Sequence, residues 1–149
     1  MDGNALMTLP WLLPAPADFS SQVKTAASNE ELLKLAQYSL NANQCEKLSK
    51  ALLNRGALES LSTTFNLGIL SNSTTDLLPA VLRVSAARLG IALHVELTDF
   101  DQVMQVSLGP VSAFQEKKLD AILVALDEHF FPLSDSDSPE DIQEKHKAR

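Results

Sequence analysis

Residues 65–97 read FNLGILSNSTTDLLPAVLRVSAARLGIALHVEL, and this stretch decides the fold class. The apolar run at 65–70 predicts a core strand, the helical spacing of apolar residues over 75–89 predicts a helix, and 91–97 predicts a second strand. Gly90 supplies the stop between that helix and the second strand. Strand, helix and strand joined by short connections are typical of an α/β unit with parallel strands.

A third apolar run, AILVAL at 121–126, extends this pattern. It predicts a strand that is buried on both faces, as the strands of parallel sheets usually are. A short helix is predicted before it at 100–108, with a further helical turn at 112–118. The βαβαβ order predicts a parallel sheet of strand order 2-1-3, in which the 65–70 strand is central.

An N-terminal helical segment is predicted to precede this core. The stretch Ser28-Asn29-Glu30-Glu31 has the form of a capping box, in which the Ser28 hydroxyl and the Glu31 carboxylate each accept a backbone N–H. The apolar stripe that follows predicts a helix over 32–40. A second helix is predicted to start at Asn43-Gln44-Cys45-Glu46 and to end near Gly56.

Three regions follow from these patterns: an arm and helical segment at 1–60, a βαβαβ core at 61–131, and a polar linker with the start of a helix at 132–149. The sequence Ser138-Pro139-Glu140-Asp141 favours a helix start, and we expect it to lead towards a catalytic domain that is missing here. The arm contains large apolar residues that are expected to pack on a surface: Leu9, Trp11, Leu12 and Leu13.

The composition excludes some classes of function. The chain has 149 residues, with 12 Lys and Arg against 19 Asp and Glu, for a net charge of −7. An acidic chain without a basic stripe is not expected to bind nucleic acid, because that requires clustered cations. No run reaches the roughly 18 apolar residues of a membrane-spanning helix. The single cysteine, Cys45, fits a cytoplasmic protein, and its spacing with Leu48 and Leu52 predicts the buried face of a helix.

Polar side chains follow each of the three predicted strands. In an open parallel sheet, ligands bind beyond the carboxyl ends of the strands, near the point where the strand order switches. Hydroxyl, amide, carboxylate and imidazole groups are therefore expected to converge on one rim. The residues of this rim are Ser71, Asn72, Ser73, Thr74 and Thr75 after the first strand, Asp99 after the second, and Asp127, Glu128 and His129 after the third.

A structural interpretation of the same residues stays open. Ser, Thr and Asn at 71–75 are also the preferred N-caps of a helix, and the acidic pair with His129 also fits an ordinary polar strand end. His94, inside the second strand, is expected to face outwards. The sequence contains no GxSxG, GxGxxG or GxxxxGK[ST] motif, and one Cys with three His makes a structural zinc site unexpected.

Several stretches together resemble a known family. They are the polar elbow at 71–75, FDQVMQ at 100–105, LGPVSAF at 108–114 and DAILVAL at 120–126, with LAQYSLNANQCEKLSKAL and LPWLLPAPADF upstream. In order and spacing these resemble the N-terminal domain of FkbH-like proteins. That family joins an SGNH-hydrolase-like domain to a phosphatase domain of the haloacid dehalogenase (HAD) type. The resemblance covers residues 9–131 and implies a three-layer flavodoxin/SGNH-like fold.

The resemblance also implies a role in acyl transfer. FkbH-like proteins are implicated in loading a glyceryl unit from a phosphorylated three-carbon donor onto an acyl carrier protein in polyketide-type pathways. The HAD domain performs that chemistry with a DxDxT motif and Mg²⁺, and this chain has no such motif. An accessory role is therefore expected, with no cofactor in this chain and with an acyl carrier protein and a C-terminal HAD domain as partners.

Two alternatives remain. Ser73 aligns with the nucleophile of the SGNH motif and Ser71 with its glycine, so a serine esterase or acyltransferase with His129 as the base is one of them. The block after the third strand lacks the family's Gly and Asn, and no DxxH motif follows. A receiver-like or flavodoxin-like binding module is the other. If an acidic carrier docks, cations near the rim are expected to face it, with these candidates: Arg83, Arg88, Lys117 and Lys118.

Overall fold

The computed structural model describes residues 11–98 and 117–127, together with Val103, Val106, Phe130, residues 137–140 and Gln143. These residues form a mixed α/β structure with parallel strand pairs, as the sequence predicts. The elements in chain order are β1 (Leu13–Pro14), α1 (Phe19–Thr25), α2 (Asn29–Lys34), a 3₁₀ turn (Leu35–Gln37), β2 (Tyr38–Ser39), α3 (Ala42–Asn54), a second 3₁₀ turn (Ala57–Ser60), β3 (Thr63–Ser71), α4 (Leu78–Arg88), β4 (Ile91–Leu97) and β5 (Ala121–Ala125).

The chain divides into two compact units. The first contains the described residues up to Phe65 and the segment Asp76–His94, so it holds all four helices named above. The second contains Asn66–Thr75 and the described residues from Val95 onwards. The division falls within β3 and β4.

Among the described residues, the larger sheet has three strands in the order β4-β3-β5, with β3 between the other two. β3 and β5 pair in parallel over five residues, from Leu67 opposite Ala121 to Ser71 opposite Ala125. After the end of β4, Thr98 donates its N–H and its hydroxyl to the Ile69 carbonyl oxygen, at 3.1 and 3.4 Å. The first strand of the predicted order 2-1-3 is therefore the central one in the structure.

The core of the first unit is aliphatic and lies between its helices. α3 packs against α1 and α4, and the fully buried side chains include Phe19, Leu48, Leu52 and Val84. Cys45 lies in this core, as its helical spacing predicts. Burial raises the pKa of its thiol, so the sulfur is not a ready nucleophile at neutral pH.

Helix α3 starts two residues before the predicted site. Its N-cap is Asn41, whose side chain accepts from the Gln44 N–H at 2.9 Å, while the Gln44 side chain accepts from the Asn41 N–H at 2.9 Å. This is a complete capping box. The predicted start at Asn43 and Glu46 is wrong because the same residue pattern, shifted by two positions, already caps the helix.

The predicted capping box before α2 forms only in part. The Ser28 hydroxyl accepts from the Glu31 N–H at 3.2 Å, as expected. The Glu31 carboxylate accepts from the Ala27 N–H at 2.7 Å and not from that of Ser28. The predicted helix over 32–40 is also too long, because the chain passes through a 3₁₀ turn and then into the short strand β2.

The N-terminal arm attaches through its backbone, and of its large side chains Leu12 is half-buried whereas Trp11 and Leu13 do not pack as predicted. Leu13–Pro14 pairs in parallel with Tyr38–Ser39. Trp11 and Leu13 are 72% and 70% exposed, so the expectation that they cover a surface is wrong. Leu9 lies outside the described residues.

β5 differs most from its prediction. Ile122, Leu123 and Val124 are 51%, 39% and 52% exposed, although the sequence predicts a strand buried on both faces. β5 is the terminal strand of the sheet, paired with β3 alone in the described part of the chain. Alternate residues of a strand point to opposite faces, so the apolar side chains of β5 are exposed on both.

The predicted helix at 100–108 and the turn at 112–118 lie almost wholly outside the described residues. Pro139, Glu140 and Gln143 have helical backbone after Ser138, where a helix start is predicted. Among the described residues, the helices are all too short or too polar to cross a bilayer.

Candidate functional site

The carboxyl ends of β3 and β5 bring together four residues of the predicted rim: Ser71, Asn72, Ser73 and Asp127. Asn72 Nδ2 donates to Asp127 Oδ1 at 2.5 Å, and Asn72 Oδ1 accepts from the Asp127 N–H at 3.0 Å. These two bonds form a reciprocal pair, which we call the carboxyl-end clasp. It joins the residue after β3 to the chain just after β5.

The two serines form a local turn beside this clasp. The Ser71 hydroxyl oxygen accepts from the Ser73 N–H at 3.1 Å, and the two hydroxyl oxygens lie 3.4 Å apart. Ser71 is buried and Ser73 is half-buried. Hydrogen bonds from a serine side chain to the backbone two residues on are typical of turns, so this geometry holds the chain as it leaves β3.

The N-cap interpretation of 71–75 is wrong. Helix α4 begins at Leu78, its N-cap is Leu77, and no side chain caps it. Pro79, in the first turn, has no backbone N–H and therefore needs no capping acceptor. The polar residues after β3 therefore stabilise the end of the strand and not the start of the helix.

The other residues of the predicted rim take part in neither of these sets of hydrogen bonds or lie outside the described residues. Thr74 is exposed and Thr75 is half-buried. Asp99, Glu128 and His129, the last being the predicted base, lie outside the described residues. His94 is exposed on β4, as predicted. Within the described ranges, no group of three His, Cys, Asp or Glu side chains is arranged to hold a metal ion.

A second clasp, which the sequence reasoning missed, lies where the pairing of β3 with β5 begins. The Asp120 carboxylate accepts from the Asn66 N–H at 2.7 Å and from Asn66 Nδ2 at 3.2 Å, and the Asp120 N–H donates to the Asn66 carbonyl at 2.8 Å. We call this the amino-end clasp. A signal was present, because one Asn and one Asp stand at each end of the two apolar runs, although both residue types are disfavoured in strands.

The carboxyl-end clasp should contribute measurably to stability. We expect Asn72→Ala to lower the free energy of unfolding by about 1–2 kcal/mol, because the Asp127 backbone and carboxylate lose these two partners. Thr74→Ala, at an exposed site two residues away, is the matched control and should change it by less than about 0.5 kcal/mol. Urea denaturation followed by circular dichroism measures both. Equal losses for the two variants would contradict the role of the clasp.

Two of the four cations expected to face an acidic partner are committed to the interior of the first unit. Arg83 is buried, where its Nη1 donates to Ser49 Oγ at 2.7 Å and its Nε donates to the Leu93 carbonyl at 3.3 Å. Burial lowers the pKa of its guanidinium. Arg88 donates to the Ala36 and Tyr38 carbonyls at 2.8 and 3.1 Å. Both residues brace the helices, so their prediction as partner-facing groups is wrong.

Lys117 and Lys118, the other two, are exposed in the second unit. Lys117 Nζ forms an ion pair with Glu96 at 2.5 Å. That pairing neutralises half of the local positive charge, so these two lysines alone make a weak basic surface.

A stronger basic surface lies between α1 and α3, and the sequence reasoning missed it. A groove of about 380 Å³ is lined by Ser20, Val23 and Lys24 from α1 and by Lys47, Lys50, Ala51 and Asn54 from α3. We call it the lysine groove. Its three lysines are exposed, and its floor includes the buried Val23 and the half-buried Ala51. The residues recur at helical spacing on each helix, and only the packing of α1 on α3 brings them together.

The charge of the lysine groove is partly balanced. Lys50 pairs with Glu46 at 2.6 Å, and Lys47 donates to Ser20 Oγ at 3.1 Å. A second cavity, of about 300 Å³, lies near α1 and α2, but its lining includes both Glu31 and Lys34. Lys34 is itself paired with Glu30. Of the two cavities, the lysine groove has the clear positive excess that suits an anionic partner.

Comparison with known proteins gives no match to a family model and no significant match to a curated protein or to a solved structure.

Proposed function

We propose that this chain is a cytoplasmic accessory domain that docks an acyl carrier protein. In this proposal it belongs to an FkbH-like protein that loads a glyceryl-type acyl unit, and it has the three-layer SGNH-like architecture of that family. Bracing of the HAD domain is the other accessory role that the resemblance implies. The observation that carries the proposal is the lysine groove between α1 and α3.

Charge favours this occupant. The chain has only 12 Lys and Arg against 19 Asp and Glu, so three lysines around one groove stand out from an otherwise acidic molecule. Acyl carrier proteins are themselves usually acidic, and most of the surface of this chain would repel them. Complementary charge at the groove would steer the encounter and fix its orientation.

The apolar floor supports the same interpretation. A helix of a partner can place acidic side chains on the lysines while a small apolar side chain contacts Val23 and Ala51. An apolar floor inside a polar rim matches the usual anatomy of a protein interface. The rim of β3 fits a structural role, because its serines and the carboxyl-end clasp are engaged in bonds that hold the strand ends.

Charge reversal in the groove tests the proposal. The probe is a fluorophore-labelled, purified holo acyl carrier protein of the type II class, and the readout is fluorescence anisotropy at low and at physiological ionic strength. We expect Lys24→Glu/Lys47→Glu to weaken binding by about tenfold at low ionic strength. The difference should shrink as salt screens the charges.

Lys34→Glu/Lys118→Glu is the matched control, because it changes the net charge equally at exposed sites outside the groove. It should weaken binding by no more than about twofold, through the general field of the molecule. Equal weakening by both double variants, or the larger loss in the control, would contradict docking at the lysine groove.

The esterase alternative is separated by a serine-reactive fluorophosphonate. The observation in its favour is that the Ser73 hydroxyl follows the central strand of the sheet. An accessory domain should show no labelling beyond that of Ser73→Ala. Stoichiometric labelling that Ser73→Ala abolishes would replace the accessory role by serine catalysis.

A further inference from the structure

The exposed strand β5 is the most unusual surface in the described part of the second unit. It is a terminal strand with apolar side chains on both faces, and Ile122 and Val124 are each about half exposed. Proteins usually protect such an edge with charges, prolines or bulges, because its unpaired backbone groups can bind another strand. Within Ala121–Ala125 there is no charged residue and no proline.

The sequence of β5 is self-complementary. It reads Ala-Ile-Leu-Val-Ala over 121–125, so it is nearly a palindrome about Leu123. When two copies run antiparallel across a two-fold axis at Leu123, Ala121 faces Ala125 and Ile122 faces Val124 of the other copy. β-branched cross-strand pairs of this kind are favourable. A two-fold axis perpendicular to the sheet also keeps directly opposite residues on the same face, as an antiparallel ladder requires.

The charges that flank β5 agree with this pairing. Lys118 precedes the strand and Asp127 follows it, whereas Lys117, also before the strand, is already paired with Glu96. In an antiparallel pair, the basic start of one strand lies near the acidic end of the other, at both ends of the interface. Parallel pairing of two copies would instead bring like charges together. Asp120, also at the start of the strand, offsets part of this attraction.

We propose that β5 is a homodimerisation edge, at which two copies of this chain pair antiparallel about Leu123 and join their three-stranded sheets into one of six strands. The pairing is isologous and therefore closes at two chains. The interface is short, so the dimer is weak, with a dissociation constant in the micromolar range. This inference does not depend on the lysine groove, which lies in the other unit.

Sedimentation velocity on the full chain tests the proposal from about 1 to about 100 µM, a range that brackets the expected constant. The wild-type chain should pass from monomer to dimer. Ile122→Lys/Val124→Lys places a lysine opposite a lysine twice and should raise the dissociation constant of the dimer at least tenfold, which is a loss of about 1.4 kcal/mol or more. Ile122→Lys/Val124→Glu removes the same side chains but places opposite charges across the axis, so it should stay within about threefold of the wild type.

The comparison of the two double variants separates pairing from general stickiness. Both sites are about half exposed, so the folded monomer tolerates either change, and circular dichroism checks this. A wild type that stays monomeric throughout, equal weakening in both variants, or growth beyond dimers would each overturn the proposal. If the wild type stays monomeric, a strand from a different protein becomes the candidate partner for the edge of β5.

A cross-link tests the register. Directly opposite residues in an antiparallel pair have Cα atoms about 4.5–5.5 Å apart, which a disulfide spans. Leu123→Cys should therefore give a covalent dimer under mild oxidation. Leu89→Cys, at a 76% exposed site in the first unit, should not. The wild type is the background control, because its Cys45 is buried. Equal cross-linking at both sites would contradict the register.

Discussion

Leu52→Ala is expected to lower the free energy of unfolding by about 3 kcal/mol, whereas Leu53→Ala should lower it by less than about 1 kcal/mol. The two leucines are neighbours on α3 and differ in burial alone, with Leu52 fully buried and Leu53 47% exposed. Truncation at Leu52 removes core contacts and leaves a cavity in the aliphatic core of the first unit. Truncation at Leu53 removes a side chain that is already half exposed to water, so fewer core contacts are lost.

Urea denaturation of both variants measures this difference. Because the intrinsic preference of alanine for helix is the same at both positions, the comparison cancels the propensity term. Losses within about 0.5 kcal/mol of each other would contradict the assignment of Leu52 to the core.

Arg83→Ala is expected to cost about 3 kcal/mol, because it removes two charged-donor hydrogen bonds and leaves a cavity. Arg83 connects α4 to Ser49 on α3 and to the Leu93 carbonyl in β4. Arg83→Met should cost about 1 kcal/mol less, since it keeps most of the buried stem and relieves the desolvation of the charge. The difference between these two variants separates packing from hydrogen bonding.

Arg55→Ala is the matched control for Arg83. Arg55 also donates to two carbonyls, those of Ala26 at 2.7 Å and Ala27 at 3.5 Å, but it is exposed. Water replaces its bonds, so the expected loss is below about 1 kcal/mol. Thermal and urea unfolding of the three variants measure the order of their stabilities. If Arg55→Ala costs as much as Arg83→Ala, the burial of Arg83 does not determine its contribution.

Local signals in the sequence predict much of the fold. β4 begins and ends where the sequence predicts, because alternation over 91–97 is bounded by Gly90, which has a φ of +77°. Gly56, with a φ of +61°, follows α3 in the left-handed conformation that a helix end favours. These boundaries depend on a backbone geometry that few residues other than glycine adopt. The position of a glycine in the sequence therefore reveals them.

The incorrect predictions have a different physical origin. The start of α3 is ambiguous because Asn41 with Gln44, and Asn43 with Glu46, satisfy the same capping pattern, and only one pair can cap the helix. The hydrophobicity of β5 predicts burial, but it does not show whether another element covers the strand, and in the structure the strand is exposed. Arg83 shares the buried helical face with Ala80, Val84 and Ala87. The helical period does not single out that face, because apolar residues lie on other faces too, and Leu77 and Leu89 among them are 48% and 76% exposed.

The candidate site was predicted only in part. The polar rim after β3 and β5 is visible from the strand pattern, but which groups bond to each other depends on the pairing register. The lysine groove depends on how α1 packs on α3, since Lys24 and Lys47 are far apart in the sequence. Contacts between distant segments of this kind leave no periodic signal in a single chain.

The two clasps also have a consequence for synthesis on the ribosome. The bonds between Asn66 and Asp120 and between Asn72 and Asp127 join residues 54 and 55 positions apart. At roughly 5–20 residues per second, β3 emerges about 3–10 s before its β5 partner is translated. During that interval one edge of the central strand is open, and a nascent chain needs shielding there until Asp120 and Asp127 arrive to lock the register.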